Sequence, residues 1–339
     1  MPEIDHYHPV LKSEELRKKP VLVRVAGLEI VVFRTAGGAL GALEERCPHR
    51  GMRLSLGAIE GEELVCRYHG WRYRNDGSGR IPATPAARPC AQRYDVVERL
   101  GAIWVKRQGS AATFPRFDVA GHSPVGRLRH TAPAPLEVVL DNFIEVEHTP
   151  TTHALLGYPS DRMHEVETKT TVTDDSVRVH NVGPQRRLPG PVYRLVGITP
   201  DLWFVDDWTT YFSPLYTVYN QYWVDPTTRE QVRPALRIVV FFNPVGPKET
   251  EIFTFAYTQA SLLDRFGLNL LLFPLTRAFV DLEVRRDCAM LAGMADGRTG
   301  LEGSTLGRFD KALGACRKRI ERIYRGNPER QPFRPAVVR

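Results

Sequence analysis

Apolar and polar positions begin to alternate at Val21, where VLVRVAGLEIVVFR is rich in β-branched residues on both sides of Ala26-Gly27. That pattern predicts two strands joined by a tight turn. Further short strands are expected over Leu64 to Arg67, Trp71 to Arg74 and Ile103 to Lys106, with Asn75-Asp76-Gly77 as a turn between two of them. Residues 1 to about 125 therefore read as a small β domain. From about 107 to 135 the chain becomes rich in Gly, Ala and Pro, which marks a linker. Beyond it, ETKTTVTDDSVRVH, YTVYNQYWV, ALRIVVFFNP and ETEIFTFAYTQ within residues 166 to 260 read as strands bounded by Pro, Gly or Asp. Residues 276 to 294 and the stretch from about Thr305 to Arg325 carry helical periodicity instead. The second part, residues 126 to 339, is thus an antiparallel sheet with helices, and the whole an α+β chain of two domains.

The composition is that of an ordinary globular protein, 339 residues with 42% apolar and 25% charged. The longest greasy run, Leu268 to Phe273, is too short to span a bilayer. The first twenty residues lack the apolar segment of a secretory signal. A soluble, cytoplasmic protein is expected, with no membrane contact. The net charge of +7 is dispersed and no nucleic-acid motif accompanies it, so an acidic electron-transfer partner is a better match than nucleic acid. Trp203, Phe204, Trp208, Tyr211, Tyr222 and Trp223 are read as sheet core, with only some of them lining a cavity. The last helix places Phe309, Leu313, Cys316, Ile320 and Ile323 on one side and Lys311, Arg317, Lys318 and Arg322 on a solvated face.

Chemistry concentrates first in residues 47 to 71. Cys47 and His49 form one Cys-His pair, Cys66 and His69 a second, and Gly51 and Gly70 allow each loop to turn after its His. Two thiolates and two imidazoles suit a Rieske-type iron–sulfur cluster, in which two His replace two Cys on one iron. A structural zinc site also uses this donor set, but with Cys and His grouped in like pairs rather than mixed ones. Cys90, Cys288 and Cys316 show no framework spacing and read as small buried residues of a reducing compartment. His6, His8, His122, His130, His164 and His180 have no paired ligand spacing and read as structural or exposed.

A second concentration is LDNFIEVEHTPTTH, residues 140 to 153. Asn142, Glu145 and His148 stand three apart, a slanting polar strip if the segment is helical. On one straight helix His148 and His153 would point about 140° apart. Pro150 is expected to break the helix, with Thr149 as the cap of a new one, and so to bring both imidazoles to one point. A carboxylate later in the chain would complete a metal site. Asp287 shares a stripe with Val280, Val284, Met290, Leu291 and Met294, where a lone charge is costly unless paired or metal-bound. Asp281, four residues from Arg277 and from Arg285, reads as an ordinary solvated pair, so Asp287 is favoured over Asp281.

CPHRG followed by CRYHGW resembles the Rieske non-haem iron oxygenases, the terminal oxygenase α subunits of ring-hydroxylating and demethylating systems. No extra cysteine follows either loop, unlike the respiratory Rieske proteins. N-x-x-E-x-x-H-x4-H is similar to the family's mononuclear iron motif, usually D/N-x-x-D-x-x-H-x4-H. The resemblance implies that Cys47 and Cys66 hold the inner iron of a [2Fe-2S] cluster and His49 and His69 the outer one. It implies that His148, His153 and Asp287 hold Fe(II) and that Asn142 lies near them. Glu145 stands where the family usually has Asp, as members acting on quaternary ammonium substrates also do; that acid links an iron-ligating His to a cluster His of the neighbouring subunit. The implied fold is a Rieske domain followed by a helix-grip catalytic domain, in a head-to-tail homotrimer. No flavin or nicotinamide motif is present in the sequence, so a separate NAD(P)H-dependent reductase is implied, with or without a ferredoxin. The implied reaction is O2-dependent monooxygenation, rather than dioxygenation, or oxidative demethylation of a small organic molecule, often aromatic or heterocyclic. The competing reading is a Rieske electron carrier without oxygenase activity of its own.

Overall fold

The computed structural model describes residues 2–153, 155–190, 193, 198–259 and 269–327. The chain divides into two compact units, Met1–Pro115 with Pro244–Gly246, and Arg116–Asn243 with Pro247–Arg339.

The first unit holds β1 (His8–Lys12), β2 (Val21–Val25), β3 (Leu28–Arg34), β4 (Leu40–Glu44), β5 (Ala58–Glu60), β6 (Glu63–Val65), β7 (Arg72–Tyr73), β8 (Gly79–Arg80), β9 (Tyr94–Arg99) and β10 (Ala102–Arg107). They form three antiparallel sheets, ordered β1-β10-β9, β2-β3-β4 and β5-β6-β7-β8. The β2–β3 turn works because Ala26 and Gly27 both adopt left-handed φ, 52° and 72°, as a two-residue hairpin of matching twist requires. β3 reads as a nearly continuous apolar run because both its faces are covered. Ile30 and Val32 pack with Val23, Val25, Ile103 and Val105, while Val31 and Phe33 join Leu43, Leu54, Leu64 and Tyr73 beneath Cys47 and Cys66.

The stretch expected as a linker is irregular only in part. His122–Ala132 is β11, which pairs with β17 (Glu249–Gln259) and so belongs to the second unit. Between them lie β12 (Glu167–Val172), β13 (Ser176–Pro184), β14 (Trp203–Phe212), β15 (Leu215–Val224) and β16 (Gln231–Gly246), giving one seven-stranded sheet ordered β11-β17-β16-β15-β14-β13-β12. Its helices are α1 (Leu136–Phe143), α2 (Thr149–Thr152), α3 (Asn269–Ala292) and α4 (Leu313–Arg319). The small β unit followed by an antiparallel sheet with helices is the architecture expected.

Four local expectations are corrected. α1 stops at Phe143, so Asn142, Glu145 and His148 do not share one helical strip. The chain turns there because the Tyr219 hydroxyl donates to the Phe143 carbonyl and the Glu145 carboxylate accepts from the Glu147 and His148 N–H groups, an alternative to continuing the helix. Thr149 is the first residue of α2 rather than its cap; His148 holds the cap position. On α3 the buried stripe is Val280, Glu283, Val284, Asp287 and Leu291, whereas Met290 and Met294 are 46% and 56% exposed. The last helical segment runs only from Asp310 to Tyr324, with 3-10 and π turns at its ends, and Arg317 lies off the solvated face in an ion pair with Asp141 of α1. Cys316 is buried as expected, Cys288 half-buried and Cys90 exposed.

Arg317→Ala is expected to lower stability to denaturant by roughly 1–3 kcal/mol, because it strands a half-buried carboxylate. Lys318→Ala on the exposed side should cost less than about 0.5 kcal/mol.

Candidate functional site

The two Cys-His loops of the first unit are built alike. In the first, Cys47 N–H donates to Met52 O at 2.9 Å and Gly51 N–H returns to Cys47 O at 2.9 Å. In the second, Cys66 N–H donates to Trp71 O at 2.8 Å and Gly70 N–H to Cys66 O at 3.0 Å. Gly51 and Gly70 close the turns at φ of 73° and 69°, which a side chain would strain. Both thiols are buried and both imidazoles exposed, with the rings of His49 and His69 4.4 Å apart. Burial and the neighbouring Cys47 thiol push the Cys66 thiol up, while desolvation and then the neighbouring His49 and Arg50 pull His69 down. His49 stacks on Trp71 at 4.4 Å with the planes 3° apart, and the Tyr73 hydroxyl lies 3.3 Å from Cys47 Sγ. Two inner sulfurs and two outer nitrogens, each held by its own turn, fit an asymmetric cluster with a thiolate-bound inner iron and an imidazole-bound outer one.

In the second unit α1, α2 and α3 bring His148, His153 and Asp287 together, with their ligand atoms all within 4.8 Å of one another. His148 Nε2 and His153 Nε2 are 2.9 Å apart, and Asp287 Oδ1 is 3.4 Å and 3.3 Å from them. Each imidazole is held from behind: His148 Nδ1 by Glu145 and His153 Nδ1 by Glu283. A carboxylate at Nδ1 holds a proton there, so that Nε2 is the nitrogen that gives up its proton to a cation. Asn142 donates to Asp287 Oδ1 at 3.1 Å. The α2 turn is pinned by Arg186, which donates to the carbonyls of Pro150 and His153, and by Gly157, where a Cβ would stand 2.5 Å from Thr149 Oγ1. Burial opposes charge on all three clustered groups, but their mutual hydrogen bonds win. His148 is pushed up to about 10 by Asp287 and Glu145, His153 up to about 9 by Asp287 and Glu283, and Asp287 down to about 2 by the two imidazoles. Two facing imidazoles and a carboxylate this deeply buried fit a divalent metal.

Asp281 lies outside the group. It pairs with Arg285 at 2.7 Å, and also with His130 at 2.9 Å, which its neighbours in sequence do not reveal. Glu283 was likewise not anticipated, although it stands one helical turn before Asp287 on the same buried stripe. A cavity of about 100 Å³ opens beside the three residues, walled by Phe143, Trp208, Tyr219, Ile238, Phe279 and Val280. Asp206 and Gln221 also line it, and burial raises Asp206 to about 6 against the opposing pull of Gln221 and the imidazoles. Asp206 lies on β14 between Phe204 and Trp208, but Val205 and Asp207 on the other face are buried as well, so no alternation in the sequence marks it as lining the cavity. His148 also lines a second cleft of about 670 Å³ with Asp141, Glu145, Glu147, Asp296 and Asp310, where Arg317 pairs with Asp141 and Arg298 with Asp296, so that the acidic groups remain in excess.

Residues 6–103 match the family described as the Rieske [2Fe-2S] domain, so the first unit carries such a domain and its cluster. The chain is 37% identical over 137 residues to the vanillate O-demethylase oxygenase subunit of a Pseudomonas species, 37% of this chain and 40% of that protein. It is 34% identical over 127 residues to methylxanthine N1-demethylase NdmA of Pseudomonas putida, 34% of this chain and 36% of that protein. The matched stretches span less than half the length of the curated relatives. Among solved structures, dicamba monooxygenase bound to 3,6-dichlorosalicylic acid superposes with a TM-score of 0.81 at 18% identity, covering 96% of this chain and 99% of that one. That likeness establishes the fold of both units. Among the described residues no helix is long and apolar enough to cross a membrane.

Glu283→Gln is expected to weaken binding of Fe(II), or of Co(II) as its substitute, by ~10–100-fold in a chelator competition titration, because the carboxylate that orients His153 is lost. Met290→Ala, on the exposed side of the same helix, should leave that affinity unchanged.

Proposed function

We propose that this chain is the terminal oxygenase component of a Rieske non-haem iron system, and that it hydroxylates or oxidatively demethylates a small aromatic or heterocyclic molecule. The observation that carries this reading is the presence in one chain of a Rieske domain and of the buried His148, His153 and Asp287 group beside an aromatic-walled cavity. In this reading Cys47, Cys66, His49 and His69 hold the [2Fe-2S] cluster, and His148, His153 and Asp287 hold Fe(II). When bound, the cluster relays single electrons and the ferrous ion supplies the open positions at which O2 and substrate meet.

The protein's own contribution is orientation. Glu145 and Glu283 keep the Nδ1 proton on each imidazole, Asn142 fixes the Asp287 oxygen, and the walls of Phe143, Trp208 and Phe279 exclude water from the reacting side. Relatives named as demethylases and as monooxygenases support insertion of one oxygen atom rather than two. Electrons are supplied by a separate NAD(P)H-dependent reductase, with or without a ferredoxin, and a matching relative is the oxidoreductase NdmD. The protein acts in the cytoplasm as a homotrimer. Charge complementarity supports the trimer: exposed Arg46, Arg50 and Arg67 surround His49 and His69, while the cleft beside His148 is acidic. Glu145 lines that cleft with its back to His148, the position from which it could reach a cluster His of a neighbouring copy.

Iron and acid-labile sulfide analysis, with EPR of protein reduced without oxygen, tests the proposal. About three irons per chain are expected for the wild type, and about two, with the Rieske signal intact, for His153→Ala and Asp287→Ala. Wild type holding only cluster iron would return the protein to a Rieske electron carrier.

A further inference from the structure

Asp206 and Gln221 are cross-strand partners in the β14–β15 register, so both side chains leave the same face of the sheet. That face is otherwise apolar: Phe204 and Trp208 flank Asp206 on β14, and Tyr219 and Trp223 flank Gln221 on β15. A carboxyl group placed there is costly unless something satisfies it. Gln221 Nε2 donates to Asp206 Oδ1 at 3.2 Å, which fixes the amide with its oxygen turned away from the carboxylate. Gln221 Oε1 is then buried with no hydrogen-bond partner among the described residues, and so is the Trp208 Nε1 donor two positions from Asp206. All three residues line the cavity beside His148, His153 and Asp287. The Tyr219 hydroxyl, by contrast, is already committed to the Phe143 carbonyl.

Around the cavity therefore stand two acceptors and one donor, of which Gln221 Oε1 and Trp208 Nε1 have no hydrogen-bond partner among the described residues. Its charged walls are acidic, Asp206, Glu283, Asp287 and Glu145, and no Arg or Lys is among the described lining residues. Even with a divalent cation at the imidazoles, the carboxylates leave no surplus positive charge for an anion. At about 100 Å³ it is of the order of engineered apolar cavities of about 150 Å³ that take up benzene, so one ring with a small substituent is the scale it suits.

We infer that Asp206 and Gln221 are the substrate-orienting pair of this cavity, and that the molecule they hold is an uncharged ring compound bearing an amide or hydroxyl group, not an aromatic carboxylate. A primary amide donates to Asp206 and to Gln221 Oε1 while its carbonyl accepts from Trp208 Nε1; a hydroxyl donates to one of the two acceptors and accepts from Trp208 Nε1. An aromatic acid brings a second negative charge to Asp206 and leaves both acceptors unmet. The pair lines the same cavity as the imidazoles and would fix which edge of the ring faces them. The inference rests on the oxygenase reading only in calling the bound molecule the substrate.

The test is calorimetric titration of the iron- and cluster-replete protein with matched ring compounds: benzamide against benzoate, and phenol against fluorobenzene. Benzamide is expected to bind at least about tenfold more tightly than benzoate, and phenol than fluorobenzene, since a site built for a polar group rejects the analogue lacking it. Asp206→Asn, which is isosteric, should raise benzoate affinity and bring the benzamide-to-benzoate ratio towards unity. Gln221→Leu should weaken benzamide and phenol by about tenfold and leave fluorobenzene unchanged. Benzoate binding as tightly as benzamide, failure of both benzamide and phenol to bind, or a ratio indifferent to Asp206→Asn would each overturn the inference. Repeating the titration on the metal-free chain separates it from the proposed function. A chain that holds no iron at His148, His153 and Asp287 loses the oxygenase reading, while the benzamide preference stands or falls on its own.

Discussion

The second unit depends on two imidazoles that face each other across 2.9 Å while a carboxylate grips each from behind. Left to themselves, two His side chains five residues apart have no reason to converge. They do so because α1 ends at Phe143, Glu145 folds back onto the N–H groups of Glu147 and His148, and Arg186 ties down the carbonyls between them. α3 then delivers Asp287 and Glu283 from one buried stripe, one oxygen to the inward nitrogens and one carboxylate to an outward one. Two of the carboxylates, Glu145 and Glu283, spend their charge on orienting ligands, and Asp287 on joining them.

The first unit solves a different problem with less material. Three small sheets, with β3 packed on both its faces, support two short turns of the same hydrogen-bond pattern, each ending in a glycine of positive φ. The sulfurs face the core and the imidazoles are exposed, so the imidazole end of each loop is the one open to solvent. Stacking on Trp71 and the Tyr73 hydroxyl beside Cys47 then limit how far either ligand can swing, and contacts of this kind help to set a cluster's potential.

Much of this was legible in the sequence because it is local. The Cys-His spacing and the glycines after each His describe the loops without any tertiary information. The position of Asp287 on an apolar stripe sets it apart from Asp281 by period, although Glu283 shares that stripe. What escaped was what depends on distant strands. The end of α1 is decided by the Tyr219 hydroxyl on β15, and the inward turn of Arg317 by Asp141 on α1. β11 hid inside a Gly- and Pro-rich stretch because its partner β17 lies more than a hundred residues away. Asp206 carries no alternation signal, because both faces of β14 are buried around it, and its place shows only once β14 and β15 share register with Gln221 opposite.

The central claim is that His148, His153 and Asp287 hold a ferrous ion with open positions, in a chain that also carries the cluster. Nitric oxide, which binds such an ion in place of O2, tests this most directly by EPR of the anaerobic ferrous protein. A high-spin iron–nitrosyl signal is expected in the wild type and is lost in Asp287→Ala, while the Rieske signal of the reduced cluster persists in both. A wild-type protein with a full Rieske signal and no nitrosyl signal would contradict it.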